Sequence, residues 1–254
     1  MASTREQAQD AIAAGTVLVS GALATKPARL VAAGEPVELL GPPPRFVSRG
    51  GEKLDAALDR FAVNVAGRAA LDAGASTGGF NDCLLQRGAA SVVAVDVGRG
   101  QLHERLRADS RVHVLERTNV RHLGVADVDG APFSLVTADL SFISLATVAP
   151  ALVHRLAAPG ADVIALVKPQ FEAGRQAVSR GKGVVRDPGV WADVLVRTRS
   201  ALSDQGAAMI DAMVSPLLGA DGNVEFLAHA RAHARGAGQV DLDAVVGLAS
   251  EELP

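Results

Sequence analysis

The 254-residue chain has no tyrosine, a single cysteine and an aromatic content of only 3%. One thiol, Cys83, excludes an internal disulfide and any cysteine-clustered metal site, and it reads as a small residue buried on a helix. So few aromatic rings argue against a base-stacking platform as the main binding device. No apolar run approaches the ~20 residues that cross a bilayer, and the opening MASTREQAQDAI lacks the basic start and apolar run of a signal peptide. The sequence therefore reads as cytoplasmic, with no membrane partner. Neither sign of charge dominates: a net charge of −3 leaves RNA open as a partner, because local patches decide that. What the chain does contain is 48% apolar residues, enough for one substantial core and a small appended module.

The pattern changes near residue 45. Before it, alanine, glutamine and isoleucine at helical spacing predict a helix from Arg5 to Ala14, ended by Gly15, and TVLVSG and EPVELL predict two short strands. Residues 1–40 thus read as a small α+β module. GPPPR at 41–45 can continue neither helix nor sheet, and 41–52 reads as a linker. Beyond it, expected strands at 69–73, 91–96, 112–116, 134–138, 162–167, 207–214 and 223–229 alternate with helices, notably 79–88, 144–157 and 190–205. The alternation predicts an α/β fold, a seven-stranded Rossmann-like parallel sheet covered on both faces, over 53–236, with a C-terminal tail at 237–254. Ligands of such sheets bind at the carboxyl ends of the strands.

The first βα turn, LDAGASTGGF at 71–80, carries the most information. Its glycines permit a tight turn and close backbone approach to a ligand, and the following helix offers free amides. The spacing is not G-x-G-x-x-G, and Asp72 before the turn would repel a pyrophosphate but welcome a cation. A sulfonium ligand fits better. Gly74, Ala75, Ser76, Thr77 and Gly78 form the expected cradle, Asp96 and Val97 end the second strand where ribose hydroxyls would lie, and Asn119 in RTN could meet an adenine edge. Together these describe an S-adenosylmethionine pocket; the competing reading has Asp72 and Asp96 only as helix caps. GASTG also matches G-x-S-x-G, the nucleophile elbow of α/β-hydrolases, but no histidine precedes Ser76 to supply an HGGG-type oxyanion loop. His229 and His233 are four apart, as zinc ligands on a helix would be, yet no glutamate base or third ligand accompanies them. They read as surface residues near a flexible end, and no metal is expected.

Lys168, in ALVKPQF, stands at the end of a strand that reads as buried on both faces, where a lysine loses hydration and is normally avoided. Asp139 ends the fourth strand, Glu225 lies in the last, and Lys53 stands at the start of the domain, so two lysines and two acids can converge over the pocket. Methyl transfer from a sulfonium to an alcohol needs in-line geometry and removal of a proton. A lysine can take that proton only when neutral, which requires its pKa to fall from about 10.4 through desolvation or a second cation such as Lys53.

The ordered segments VSRGGEKL, LDAGASTGGF, AVDVGRGQL, VLERTN, ADLSFISL, LVKPQFE and GNVEF, spanning residues 45 to about 229, resemble the TlyA family of ribosomal RNA 2′-O-methyltransferases, often labelled haemolysins. The resemblance implies an FtsJ-like catalytic domain with a Lys-Asp-Lys-Glu tetrad, here Lys53, Asp139, Lys168 and Glu225, acting on a cytidine 2′-hydroxyl. It implies Lys168 as general base, Asp139 as its orienting partner, and the other two as ribose-positioning groups. Ribosomal RNA or a ribosomal subunit is then the partner. Residues 3–31 are similar to the second helix and hairpin of an S-four-type RNA-binding domain. The basic first helix of that domain does not precede them, and residues 1–40 hold three basic against four acidic groups. Arg45 and Arg49 beside the linker, and Arg175, Arg180 and Lys182 after the fifth strand, are the other candidate RNA contacts. A non-catalytic RNA-binding protein and a membrane-lytic haemolysin are the alternatives, and the oligomeric state stays open.

Overall fold

The computed structural model describes residues 5–42, 44–174, 183–234 and 240–252. A small unit comes first: helix α1 (Arg5–Ala13) and strands β1 (Val17–Val19), β2 (Ala22–Leu23) and β3 (Val37–Leu39), in the antiparallel order β2-β1-β3. Its core is Val17, Val19 and Ala24 against Ala11 and Ile12, three strands rather than the expected two.

The larger unit runs α2 (Gly50–Arg60), β4 (Ala69–Ala73), α3 (Gly79–Gln86), β5 (Ser91–Val95), α4 (Glu104–Arg107), β6 (Val112–Leu115), β7 (Phe133–Ala138), α5 (Leu145–Ala149), β8 (Ala157–Val167), α6 (Pro169–Glu172), α7 (Pro188–Asp204), β9 (Ala208–Val214), β10 (Phe226–Arg231) and α8 (Leu242–Glu252). The sheet order is β6-β5-β4-β7-β8-β10-β9. Strand residues alternate between two cores, as a period of two demands. Leu71, Ala73, Val93, Val136, Val163 and Val167 pack with α5, α7 and α8. Ala70, Val92, Leu135, Ile164 and Leu166 pack with α2 and α3 on the other face. Phe46 and Val47 are already part of that second core, and the Val47 amide donates to buried Asp82 at 2.9 Å.

Several expectations need correction. β10 runs antiparallel to both β8 and β9, because the short 215–225 connection contains no crossover helix. The helix expected over 144–157 stops as α5, and a π-helical turn, Pro150–Arg155, replaces its second half; the change falls at Pro150, which has no amide to donate. The last strand starts at Phe226, so Glu225 immediately precedes it, although the Glu225 carbonyl still accepts from the Ser215 amide at 2.8 Å. The stretch read as a tail contains α8, whose Leu242, Val245, Val246 and Ala249 are buried in the main core. His229 and His233 lie on β10 and the turn after it, not on a helix, and His229 is buried, hydrogen-bonded to Asp162 at 2.7 Å and stacked on Phe61. Among the described residues, no cluster of histidine, cysteine or acid could hold a metal, and no helix is long and apolar enough to cross a membrane.

Candidate active site

Strand order switches direction between β4 and β7, and the crevice this opens at their carboxyl ends widens into a cavity of about 410 Å³. All four residues of the expected tetrad line it. Lys168 leaves β8 with extended backbone (φ −110°, ψ 102°), as the residue before a proline must, and Pro169 then starts α6, where a missing amide costs nothing. Its Nζ lies 2.5 Å from Asp139 Oδ1 and donates to Ser141 Oγ at 3.1 Å. Across the cavity, Lys53 on α2 donates through Nζ to Glu225 Oε2 at 2.5 Å, and both side chains are buried. The tetrad is thus two ion pairs, and Lys53 faces Glu225 rather than acting as a lone cation beside Lys168. Gly219 makes the second pair possible: a Cβ there would lie 2.0 Å from Glu225 Oε1.

On the β4 side, Gly74 has φ +87°, and a Cβ would lie 2.2 Å from the Asp139 carbonyl, so only glycine lets the two turns touch. Gly74, Ala75, Ser76 and Thr77 line the cavity, while Gly78 packs beneath them on Leu102 and Leu106. Asp96 accepts from the amides of Ser76 (2.8 Å) and Gly98 (2.6 Å), holding the turn's shape, and borders a small adjoining cleft. Val97 is exposed, and the Asn119 side chain accepts from the Arg121 amide at 3.1 Å, capping a short 3₁₀ turn; neither lines the cavity.

Asp72 lies fully enclosed under the turn. Thr137 donates to its Oδ1 at 3.3 Å, and its Oδ2 has no hydrogen-bond partner among the described residues. Burial, reinforced by the neighbouring Asp139 charge, pushes its pKa up to about 7. Since the ordinary value is 3.8, the native state binds more protons than the unfolded chain between these limits, so this residue makes stability fall as pH rises from about 4 to about 7. We expect Asp72→Asn to flatten that slope in urea midpoints measured without cofactor; an unchanged slope would contradict the assignment.

Several lining residues carried no readable signal in the sequence. Ser48, Phe80, Ser141, Phe142, Gln170 and Phe171 all face the cavity. Ser141, Phe142, Gln170 and Phe171 sit inside the quoted blocks ADLSFISL and LVKPQFE, but which side chains point inward follows only from the turns. Ser76 adopts the left-handed φ of +46° that a nucleophile elbow would use, yet its Oγ meets Gln101 Oε1 at 3.3 Å and no histidine side chain bonds to it among the described residues. Arg49 lines the cavity, whereas Arg45 stands over the Phe46 ring and pairs with Asp55, which a second arginine, Arg87, also grips at 2.6 Å. The candidates Arg175, Arg180 and Lys182 lie outside the described residues.

Residues 46–232 match the model of the FtsJ-like methyltransferase family. The 16S/23S rRNA (cytidine-2′-O)-methyltransferase TlyA of Mycobacterium tuberculosis is 50% identical over 89% of this chain and 84% of its own. Hemolysin A of Brachyspira hyodysenteriae is 40% identical over 89% of this chain and 93% of its own. A solved structure of a hemolysin-like protein from Streptococcus thermophilus, 40% identical, superposes with a TM-score of 0.82 over 98% of this chain and 91% of that one. The chain belongs to the FtsJ-like methyltransferase family, in the branch that includes TlyA and hemolysin A.

Proposed function

We propose that this protein transfers a methyl group from S-adenosylmethionine to the ribose 2′-hydroxyl of a cytidine in ribosomal RNA, a cytoplasmic reaction. The observation that carries the reading is the Lys168 head group. Its nitrogen lines the cavity, ion-paired to Asp139 Oδ1 at 2.5 Å and donating to Ser141 Oγ at 3.1 Å, so two groups from the loop after β7 fix it where a substrate hydroxyl can reach it. The cofactor fits the residues present: a left-handed glycine turn where backbone can approach a ligand, and beneath it an enclosed carboxylate with one unpartnered oxygen. When bound, it supplies a sulfonium methyl carbon, to which the 2′-oxygen bonds as the carbon–sulfur bond breaks and sulfur keeps the electron pair. Lys168 Nζ takes the hydroxyl proton, Asp139 and Ser141 hold it in line, and the Lys53–Glu225 pair positions the ribose.

In the same reading, residues 1–40 are a partial S-four-like RNA-binding module, the expected linker shrinks to the stretch before Phe46, and the catalytic domain runs from Phe46 through α8, since both ends are buried in its cores. Arg45, Arg49, Arg175, Arg180 and Lys182 supply phosphate contacts. The test uses methyl-labelled S-adenosylmethionine with purified ribosomal subunits from cells lacking the enzyme. Label is expected in the RNA of at least one subunit; label confined to protein, or absent despite saturable cofactor binding, would sink the proposal.

A further inference from the structure

One polar group in the cavity has no part in the reading above. Gln170, on α6 immediately after Lys168 and Pro169, lines the cavity beside Phe142 and Phe171. Its Oε1 is enclosed but has no hydrogen-bond partner among the described residues. A buried acceptor without a donor is costly, so one kept in a native cavity calls for a ligand N–H or O–H.

Sheet order indicates whose. The cofactor turn follows β4, Asp139 follows β7, and Lys168 and Gln170 follow β8. Two strand spacings of ~4.8 Å put the start of α6 about 10 Å across the sheet from the cofactor turn. That is the substrate's side of the reacting hydroxyl. Next to Gln170 the rings of Phe142 and Phe171 meet at 4.8 Å, and Phe142 is 90% exposed at the cavity mouth. An apolar wall beside a lone acceptor suits a flat group with an N–H edge. A phosphate, all acceptors, would be repelled there.

We propose that Gln170 is a specificity residue that accepts a hydrogen bond from the exocyclic amine of the target base, so that the site reads the base as well as the ribose. This rests on the ribose-methylation reading. On a cytosine the same amide can also donate through Nε2 to ring N3, the two-point pairing that amide side chains make with base edges.

The test compares two RNA substrates that differ only at the target nucleotide, cytidine or its analogue lacking the 4-amino group, in single-turnover methyl transfer. With the native enzyme, loss of the amine should slow transfer about tenfold, the effect of leaving one buried acceptor unpaired. Gln170→Ala should slow transfer to cytidine by a similar factor and be indifferent to the amine, with cofactor affinity unchanged by calorimetry. Gln170→Glu, which keeps an acceptor oxygen, should restore dependence on the amine. Equal sensitivity to the amine in the native and alanine enzymes, or weakened cofactor binding by Gln170→Ala, would overturn the assignment. Absence of transfer by the native enzyme would overturn the ribose reading and this one with it, a result distinct from active transfer that ignores the amine.

Discussion

Replacing Lys168 by alanine is expected to slow methyl transfer by about 10²–10⁴-fold, the usual contribution of a positioned general base. The side chain is mostly enclosed at the end of a buried strand, and its nitrogen contacts Asp139 and Ser141, both on the loop that follows β7. None of those contacts belongs to the β4 turn, so cofactor affinity should change little. The fold should survive, because Lys168 contributes to neither core and its partner Asp139 opens onto the cavity, where water can replace the lysine. Rapid-quench single turnovers with labelled cofactor separate the effects. A parallel loss of cofactor binding and transfer would mean that Lys168 supports the cofactor and not the proton transfer.

The largest stability effect is expected at the opposite end of the sheet. Asp162 on β8 is buried, accepts from Arg68 at 2.8 Å and His229 at 2.7 Å, and lies 2.9 Å from the Arg231 guanidinium. Burial alone would raise its pKa. The hydrogen bonds from His229 and Arg68 and the charges of Arg231 and Arg68 outweigh that and hold it below the ordinary carboxylate value. Its contribution is therefore present above the ordinary value of 3.8 and is lost as pH falls through the lower native value. Asp162→Ala leaves the largely buried Arg68 without its counter-charge and the buried His229 without its hydrogen-bond partner, which typically costs about 3–5 kcal/mol. Urea unfolding at neutral pH should show that loss, while cofactor binding by the remaining folded protein persists. A change below about 1 kcal/mol would show that the two basic side chains find water instead.

How legible the molecule was in its sequence depended on range. LDAGASTGGF identified its own turn because glycine spacing, the strand before it and the helix after it are local properties, and the strand-end lysine before Pro169 was visible for the same reason. Pairings were not. Lys53 meets Glu225 across 172 positions of sequence, an encounter fixed by sheet order and by the reversal of β10, neither of which periodicity encodes. His229 looked like a surface residue because its partners, Asp162 and Phe61, come from distant parts of the chain. α8 was read as a tail because an isolated apolar stripe says nothing about what covers it, whereas in the fold α7 and β9 do. Gln170, Phe142 and Gly219 acquire meaning only once the turns after β7, β8 and β9 converge.

The central claim is that the cavity directs the methyl group to a ribose hydroxyl. It is tested most directly by alkaline digestion of ribosomal RNA labelled by this protein. Base cleaves RNA through the neighbouring 2′-hydroxyl, so a methylated ribose blocks its own linkage. The account predicts label in alkali-resistant dinucleotides that yield 2′-O-methylcytidine on further enzymatic digestion. Label released in single nucleotides would place the methyl group on a base and contradict the roles assigned to Lys168 and Asp139.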